Sequence, residues 1–279
     1  MNSRIISDHP QFGRSLWLDN GVLELAIPLD WGIRIARLAY VGGENVFFEQ
    51  PADMTDFTTP EGWRLRGGHR LWVSPESDDD YYPDNDPVEY ALTDKGVKLI
   101  QKPDPLLGVE KSMELTLEEN RVRVLHGIKN VASSTVECAL WAMSVMAPGG
   151  TERIPLPEVT PPAWTPRFSL TFWPYTDPAD PRFRAGENEL TVTHLPMERR
   201  FKLGVSHPAG PVTFGRNGVV FSVDWDTESG SAYPDGGCSF ETFFSRQMTE
   251  IETLSPLKTL APGESAFHGE RWELIKNER

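Results

Sequence analysis

The residue types best able to do chemistry crowd into one stretch, Arg64-Leu65-Arg66-Gly67-Gly68-His69-Arg70-Leu71-Trp72-Val73-Ser74-Pro75-Glu76. Guanidinium, imidazole, indole and carboxylate groups around a Gly-Gly pair can donate to, accept from and stack on a polar ligand. An imidazole titrates near neutrality and can give or take a proton, and His69 is the only histidine in so polar and arginine-rich a setting. Arg70 offers paired hydrogen bonds to hydroxyls or a carboxylate, and it equally suits a structural ion pair with Glu76. The same stretch also reads as the wet face of an edge strand, charged residues alternating with Leu65, Leu71 and Val73 and Gly67-Gly68 forming a bulge.

Further candidates lie later in the chain. Glu250 and Glu252 share one strand face because side chains alternate, with Ile251 pointing the other way, so that face is polar and either lines a pocket or meets water. Glu241 sits in the apolar run Phe240-Glu241-Thr242-Phe243-Phe244, and its period-two neighbours Ser239 and Phe243 leave its facing open. Lys202, in Phe201-Lys202-Leu203-Gly204, is a further candidate for ligand contact. Histidines spaced for a cupin-like metal site, a Gly-rich phosphate loop and a Gly-x-Ser-x-Gly elbow are all missing from the sequence, so neither a metal nor a cofactor is expected.

The elements that must position these groups read as strands. Leu16–Asp19 and Val22–Ile27 flank Asn20-Gly21, which predicts a hairpin with a type I′ turn. Gly32–Tyr40, Val109–Leu117, Val122–Leu125 and the long apolar Thr135–Met146 continue the pattern, and from Leu190 onward short strands recur to Ile275. Asp78–Pro87 reads as a solvated acidic loop, one that could also shield a pocket mouth or hold calcium. Pro155–Pro181 is so rich in proline, with Trp164, Phe168, Phe172, Trp173 and Tyr175 among it, that an irregular insertion over about 151–185 is expected, its aromatics packing it down or lining a cleft. No segment keeps a helical period and no repeat is present. The reading is all-β: one large antiparallel domain over 1–279, built as two packed sheets.

Composition narrows the partners. A net charge of −14 repels nucleic-acid backbones and anionic membranes. No apolar run reaches the roughly 18 residues of a membrane helix, and Met1–Pro10 lacks an apolar leader, so a soluble cytoplasmic protein is expected. Cys138 and Cys238, each within an apolar run, read as buried free thiols.

The order of landmarks resembles the galactose mutarotase-like (aldose 1-epimerase) superfamily. Leu18-Asp19-Asn20-Gly21, Ile27-Pro28 and Gly32-Ile33-Arg34-Ile35 are similar to its first hairpin and following strand. Phe240-Glu241-Thr242-Phe243-Phe244 and Leu260-Ala261-Pro262-Gly263-Glu264-Ser265 are similar to its late strand and Pro-Gly turn. Gly67-Gly68-His69-Arg70-Leu71-Trp72 with Pro75-Glu76, Ala139-Leu140-Trp141 with Ala147-Pro148-Gly149-Gly150, Glu252-Thr253-Leu254-Ser255-Pro256 and Glu270-Arg271-Trp272 resemble its DUF4380 branch.

The resemblance implies a β-supersandwich with a sugar cleft on one sheet and Glu241 as the base that takes the anomeric proton. The family's general-acid histidine has no counterpart in Cys138–Ala147, which offers Trp141-Ala142-Met143-Ser144; His69 is the substitute acid. Arg70, Trp72, Glu76, Trp141, Lys202 and Glu252 are the expected sugar contacts, with Trp72 and Trp141 stacking on a ring or lying in the core. The expected function is binding of an aldose or sugar acid, with anomer or epimer exchange if the protein is an enzyme. A non-catalytic carbohydrate-binding or sensory module is the alternative. A further one is a polysaccharide lyase-like activity on uronic acids using His69, Arg70 and a tyrosine such as Tyr82.

Overall fold

A computed structural model describes residues 3–51, 54, 61–159, 164 and 166–277. The chain opens with β1 (Ser3–His9), β2 (Gly13–Asp19), β3 (Leu23–Pro28) and β4 (Arg37–Tyr40). It continues through β5 (Gly68–Ser74), β6 (Glu89–Leu92), β7 (Gly96–Ile100), β8 (Val109–Glu118), β9 (Arg121–Asn130), β10 (Val136–Met146) and β11 (Thr151–Pro155). Then come β12 (Leu170–Phe172), β13 (Phe183–Ala185), β14 (Glu189–Thr193), β15 (Phe201–Val205) and β16 (Val212–Arg216). The last strands are β17 (Val219–Trp225), β18 (Phe240–Phe244), β19 (Thr249–Leu254), β20 (Lys258–Leu260) and β21 (Ser265–Lys276). There is no α-helix among the described residues, only a 3₁₀ turn at Asp78–Tyr81. No helix is long and apolar enough to cross a membrane.

All pairings between these strands are antiparallel, and they form three sheets. β1 to β4 make the smallest; β12-β15-β18-β19-β10-β20, with β5 also on β10, make a seven-stranded sheet; β13-β14-β11-β16-β17-β21-β9-β8-β7-β6 make a ten-stranded one. Alternation packs the two large sheets face to face. Phe201, Leu203, Phe240, Phe244 and Ile251 of the seven-stranded sheet meet Met113, Val124, Phe214, Phe221 and Trp272 of the ten-stranded sheet in one core, which Leu16, Leu25 and Ile35 extend.

One turn and one longer stretch differ from expectation. Asn20-Gly21 does not form a two-residue type I′ turn. Asp19 pairs with Glu24, and across the connection Asn20 Oδ1 accepts from the backbone N–H of Val22 (3.0 Å) and Leu23 (2.8 Å), so Asn20 caps the turn with its side chain and only Gly21, with φ of 84°, is left-handed. The two-residue Asn-Gly hairpin is Asn217-Gly218 between β16 and β17, with φ of 48° and 77°, the pair of positive angles a type I′ turn requires. The proline-rich region is also more regular than expected. β11 is a full member of the ten-stranded sheet, its one proline falling at its last residue, and β12, which has none, pairs with β15. Both cysteines are buried and unpaired.

Candidate functional site

The pocket face of the seven-stranded sheet is set by register. Across β15, β18, β19, β10 and β5 one row reads Gly204, Glu241, Glu252, Met143 and Arg70, and the next reads Lys202, Phe243, Glu250, Val145 and Gly68. A third row adds Leu254, Trp141 and Trp72. Over this face opens a cavity of about 700 Å³, lined by Arg70, Trp72, Glu76, Trp141, Lys202 and Glu250 among others.

The start of β5 is built by close approach. Gly67 and Gly68 both have left-handed φ, 84° and 74°, and a Cβ on either would lie 1.9 Å from Phe48 O or 2.5 Å from Ile35 O. The glycines let the chain pass against Phe48 and Ile35, and His69 N–H then donates to Ile35 O at 2.8 Å; β5 is buried at every position and is not a wet strand face. Once β5 is extended, Arg70 and Trp72 face the cavity.

Two cationic units dominate the floor. Arg70 Cζ stacks 4.1 Å over Trp72 and 5.5 Å from Trp63, with Glu250 Oε1 3.6 Å from Nη2, which also donates to Met143 Sδ at 3.3 Å. Lys202 Nζ lies 2.9 Å from Glu241 Oε2 and 3.1 Å from Glu252 Oε2, between the rings of Trp141 (4.4 Å) and Trp173 (4.7 Å). Trp141 Nε1 donates to the same Glu252 oxygen at 2.8 Å. Burial pushes the Glu250 carboxyl up to about 7 against the pull of Arg70, and the Glu241 carboxyl up to about 8 against Lys202. Burial also raises Glu252. For Lys202, burial works to lower the pKa, but Glu252 and Glu241 outweigh it and hold the ammonium protonated. Burial lowers Arg70 to about 10.

Of the sequence candidates, Arg70, Trp72, Glu76, Trp141 and Lys202 line the cavity. Glu241 and Glu252 sit beneath it, reaching it through Lys202. His69 is a correction: it is 0 % exposed and faces the interior between the sheets, because neighbours on a strand point to opposite faces and Arg70 takes the cavity side. There its Nε2 meets His126 Nε2, and burial, then His126, lower its pKa well below the ordinary histidine value. The Arg70–Glu76 pair is likewise replaced by Arg70–Glu250, while Glu76 accepts from Tyr81 Oη at 2.6 Å. Tyr82 is not part of the wall; Tyr81 and Tyr175 are.

Trp63, Asp78, Tyr81, Trp173, Tyr175, Arg200, Phe243 and Met248 also line the cavity and were not singled out as ligand contacts. The acidic loop and the aromatics of the proline-rich stretch were noted as possible rims, and composition was their only signal. Glu250 was legible through its alternation with Ile251.

No protein-family model and no curated protein sequence matches the chain. Among solved structures, a galactose mutarotase-like protein from Lactobacillus casei superposes with a TM-score of 0.61 at 13% identity, over 94% of this chain and 100% of that one. A galactose mutarotase-like protein from Clostridium acetobutylicum gives 0.58 at 12% identity, over 99% and 98%. A galactose mutarotase related enzyme from Lactobacillus acidophilus gives 0.54 at 10%, over 99% and 98%. With the antiparallel sheets packed face to face and the cavity on one of them, the chain has the galactose mutarotase-like fold.

Proposed function

We propose that the cavity binds a closed sugar ring, an uncharged aldose in preference to a sugar acid, and exchanges its anomers. The observation that carries this reading is the set of unmatched polar atoms on the floor. Arg70 Nε and Nη1 and Glu250 Oε1, on residues that line the cavity, are buried without a hydrogen-bond partner, and beneath them Glu241 and Glu252 each keep one such oxygen. A hydroxyl group both donates and accepts, so a polyol can satisfy unpaired donors and acceptors together. A carboxylate would satisfy Arg70 but would meet Glu250 beside it and Glu76 and Asp78 on the wall. The indoles supply flat apolar surface for the ring's C–H face.

In this reading Glu250, raised toward neutrality and facing the cavity, takes the anomeric proton, and the Lys202 ammonium donates toward the ring oxygen; reclosure on the other face reverses the roles. Glu241 and Glu252 act through Lys202 by fixing its position and charge. Binding is tested by tryptophan fluorescence with aldoses, 6-phosphosugars and uronic acids, and turnover by anomeric exchange in nuclear magnetic resonance. Exchange that falls about 10²-fold or more in Glu250→Gln supports the assignment. Tighter binding of a uronic acid or phosphosugar than of any aldose rejects the charge argument. A second reading, a non-catalytic carbohydrate-binding module, draws on the lack of histidine among the described cavity-lining residues. It predicts binding with no acceleration over the spontaneous rate.

A further inference from the structure

Behind the cavity floor a second set of side chains converges that the sugar reading does not use. His69 comes from β5, His126 from β9 and Glu270 from β21, so the set bridges the two large sheets. One ligating atom of each lies within 4.8 Å of the others. His69 Nε2 is 2.7 Å from His126 Nε2 and 3.8 Å from Glu270 Oε2.

Partners orient all three groups, those of the imidazoles on their remote nitrogens and those of Glu270 on both oxygens, Oε2 included. His126 Nδ1 lies 3.0 Å from the His268 carbonyl, which only accepts, so Nδ1 carries the proton and Nε2 presents a lone pair. His69 Nδ1 lies 2.9 Å from Ser144 Oγ, which can accept in the same way. Glu270 accepts from the Thr253 hydroxyl and from Trp272 Nε1 at 2.8 Å. Protonated on their outer nitrogens, the two imidazoles turn lone pairs toward one gap beside a carboxylate. Such outer partners orient the ligands of bound metal ions.

We propose that His69, His126 and Glu270 bind a divalent first-row transition-metal ion, zinc foremost, which pins β5 to β9 and β21 directly beneath Arg70. Two imidazole nitrogens and one carboxylate oxygen suit zinc and its neighbours, whereas calcium and magnesium ask for oxygen ligands throughout. At bond lengths of about 2.0–2.1 Å, tetrahedral geometry sets the two nitrogens about 3.3 Å apart, so the rings part by roughly half an ångström when the ion enters. The competing occupant of the gap is a proton: Ser144 donating to His69 Nδ1, and His69 Nε2–H donating to His126, would also close the network. With all three residues at most 2 % exposed, the ion is structural and is taken up as the sheets close.

The test uses the untagged chain, unfolded with a chelator present and refolded with chelator, with Zn²⁺ or with Co²⁺, and bound metal counted by mass spectrometry. About one ion per chain is expected, with a melting temperature at least about 5 °C above that of the chelated chain. The cobalt form should show the visible absorption of a low-coordinate site. His126→Gln and Glu270→Gln should lose the ion and His9→Gln should keep it. Wild-type protein that refolds to the same melting temperature with less than about 0.1 ion per chain overturns the proposal and assigns the gap to a proton. Undiminished metal in His126→Gln overturns it as well.

Discussion

On the cavity side of the seven-stranded sheet, Arg70 keeps two buried nitrogens without partners, and Glu241, Glu250 and Glu252 each keep an unmatched oxygen. Between the two large sheets, behind those strands, Ser144, His69, His126, His268, Thr253, Glu270 and Trp272 hold one another by hydrogen bonds, and the one position left to fill is the gap between His69 Nε2 and His126 Nε2, which a proton or an ion closes. Burial is nearly equal on the two faces, so burial does not separate a ligand site from a structural cluster. What each set leaves open distinguishes them: partnerless polar atoms, each costing about 1–3 kcal/mol, call for a hydrogen-bonding ligand on the cavity side, whereas the inner cluster leaves only a gap between two imidazole nitrogens.

The contrast is most severely tested at Lys202. Removing this buried ammonium in Lys202→Met leaves Glu241 and Glu252 uncompensated and should cost about 3–5 kcal/mol in chemical denaturation above pH 8, with less loss at pH 6, where the carboxylates can take protons instead. A cost under about 1 kcal/mol at both pH values would break the account of the floor. Next comes His69→Ala, which strands Ser144 and His126 and should cost about 2–3 kcal/mol while sugar affinity stays within about threefold. A tenfold loss of affinity would show that the inner cluster is coupled to the cavity.

Arg70→Gln should do the reverse, weakening sugar binding more than about tenfold, or about 1.4 kcal/mol, with the melting temperature within a few degrees. The same burial makes stability depend on pH. Burial raises Glu250 to about 7 and Glu241 to about 8 from an ordinary 4.5, so the folded chain keeps these protons after the unfolded chain has lost its own. The stability they contribute is complete below pH 4.5 and is lost as pH rises toward about 8. Denaturation midpoints should fall across that window, and Glu250→Gln should flatten the slope; a flat wild-type profile would contradict the burial argument.

Much of this was legible in local pattern. Alternating apolar residues mark the strands, and the polar face shared by Glu250 and Glu252 follows from period two alone. The same rule, applied to β5, places His69 opposite Arg70 and Trp72, which is why one strand could not deliver all three to one ligand. The Asn20-Gly21 turn departs from its dipeptide's usual form because the asparagine side chain caps it, an option that dipeptide identity does not reveal. Trp173 and Tyr175 reach the cavity wall from a proline-broken stretch that has no periodicity to read.

By itself the sequence determined the class of structure and the chemical kinds available. Strand periodicity and turn residues impose antiparallel sheets, and the supply of Arg, Lys, Glu and Trp on those strands limits the site to stacking, hydrogen bonding and proton transfer. Tertiary structure alone decided which groups meet. Lys202, Glu241 and Glu252 come from three strands, and Arg70 and Glu250 are far apart in sequence, so their contact depends on cross-strand register and on which face the packed core occupies. Shifting any one strand by a single residue would turn its whole row to the other face, and no local signal in the chain fixes that choice.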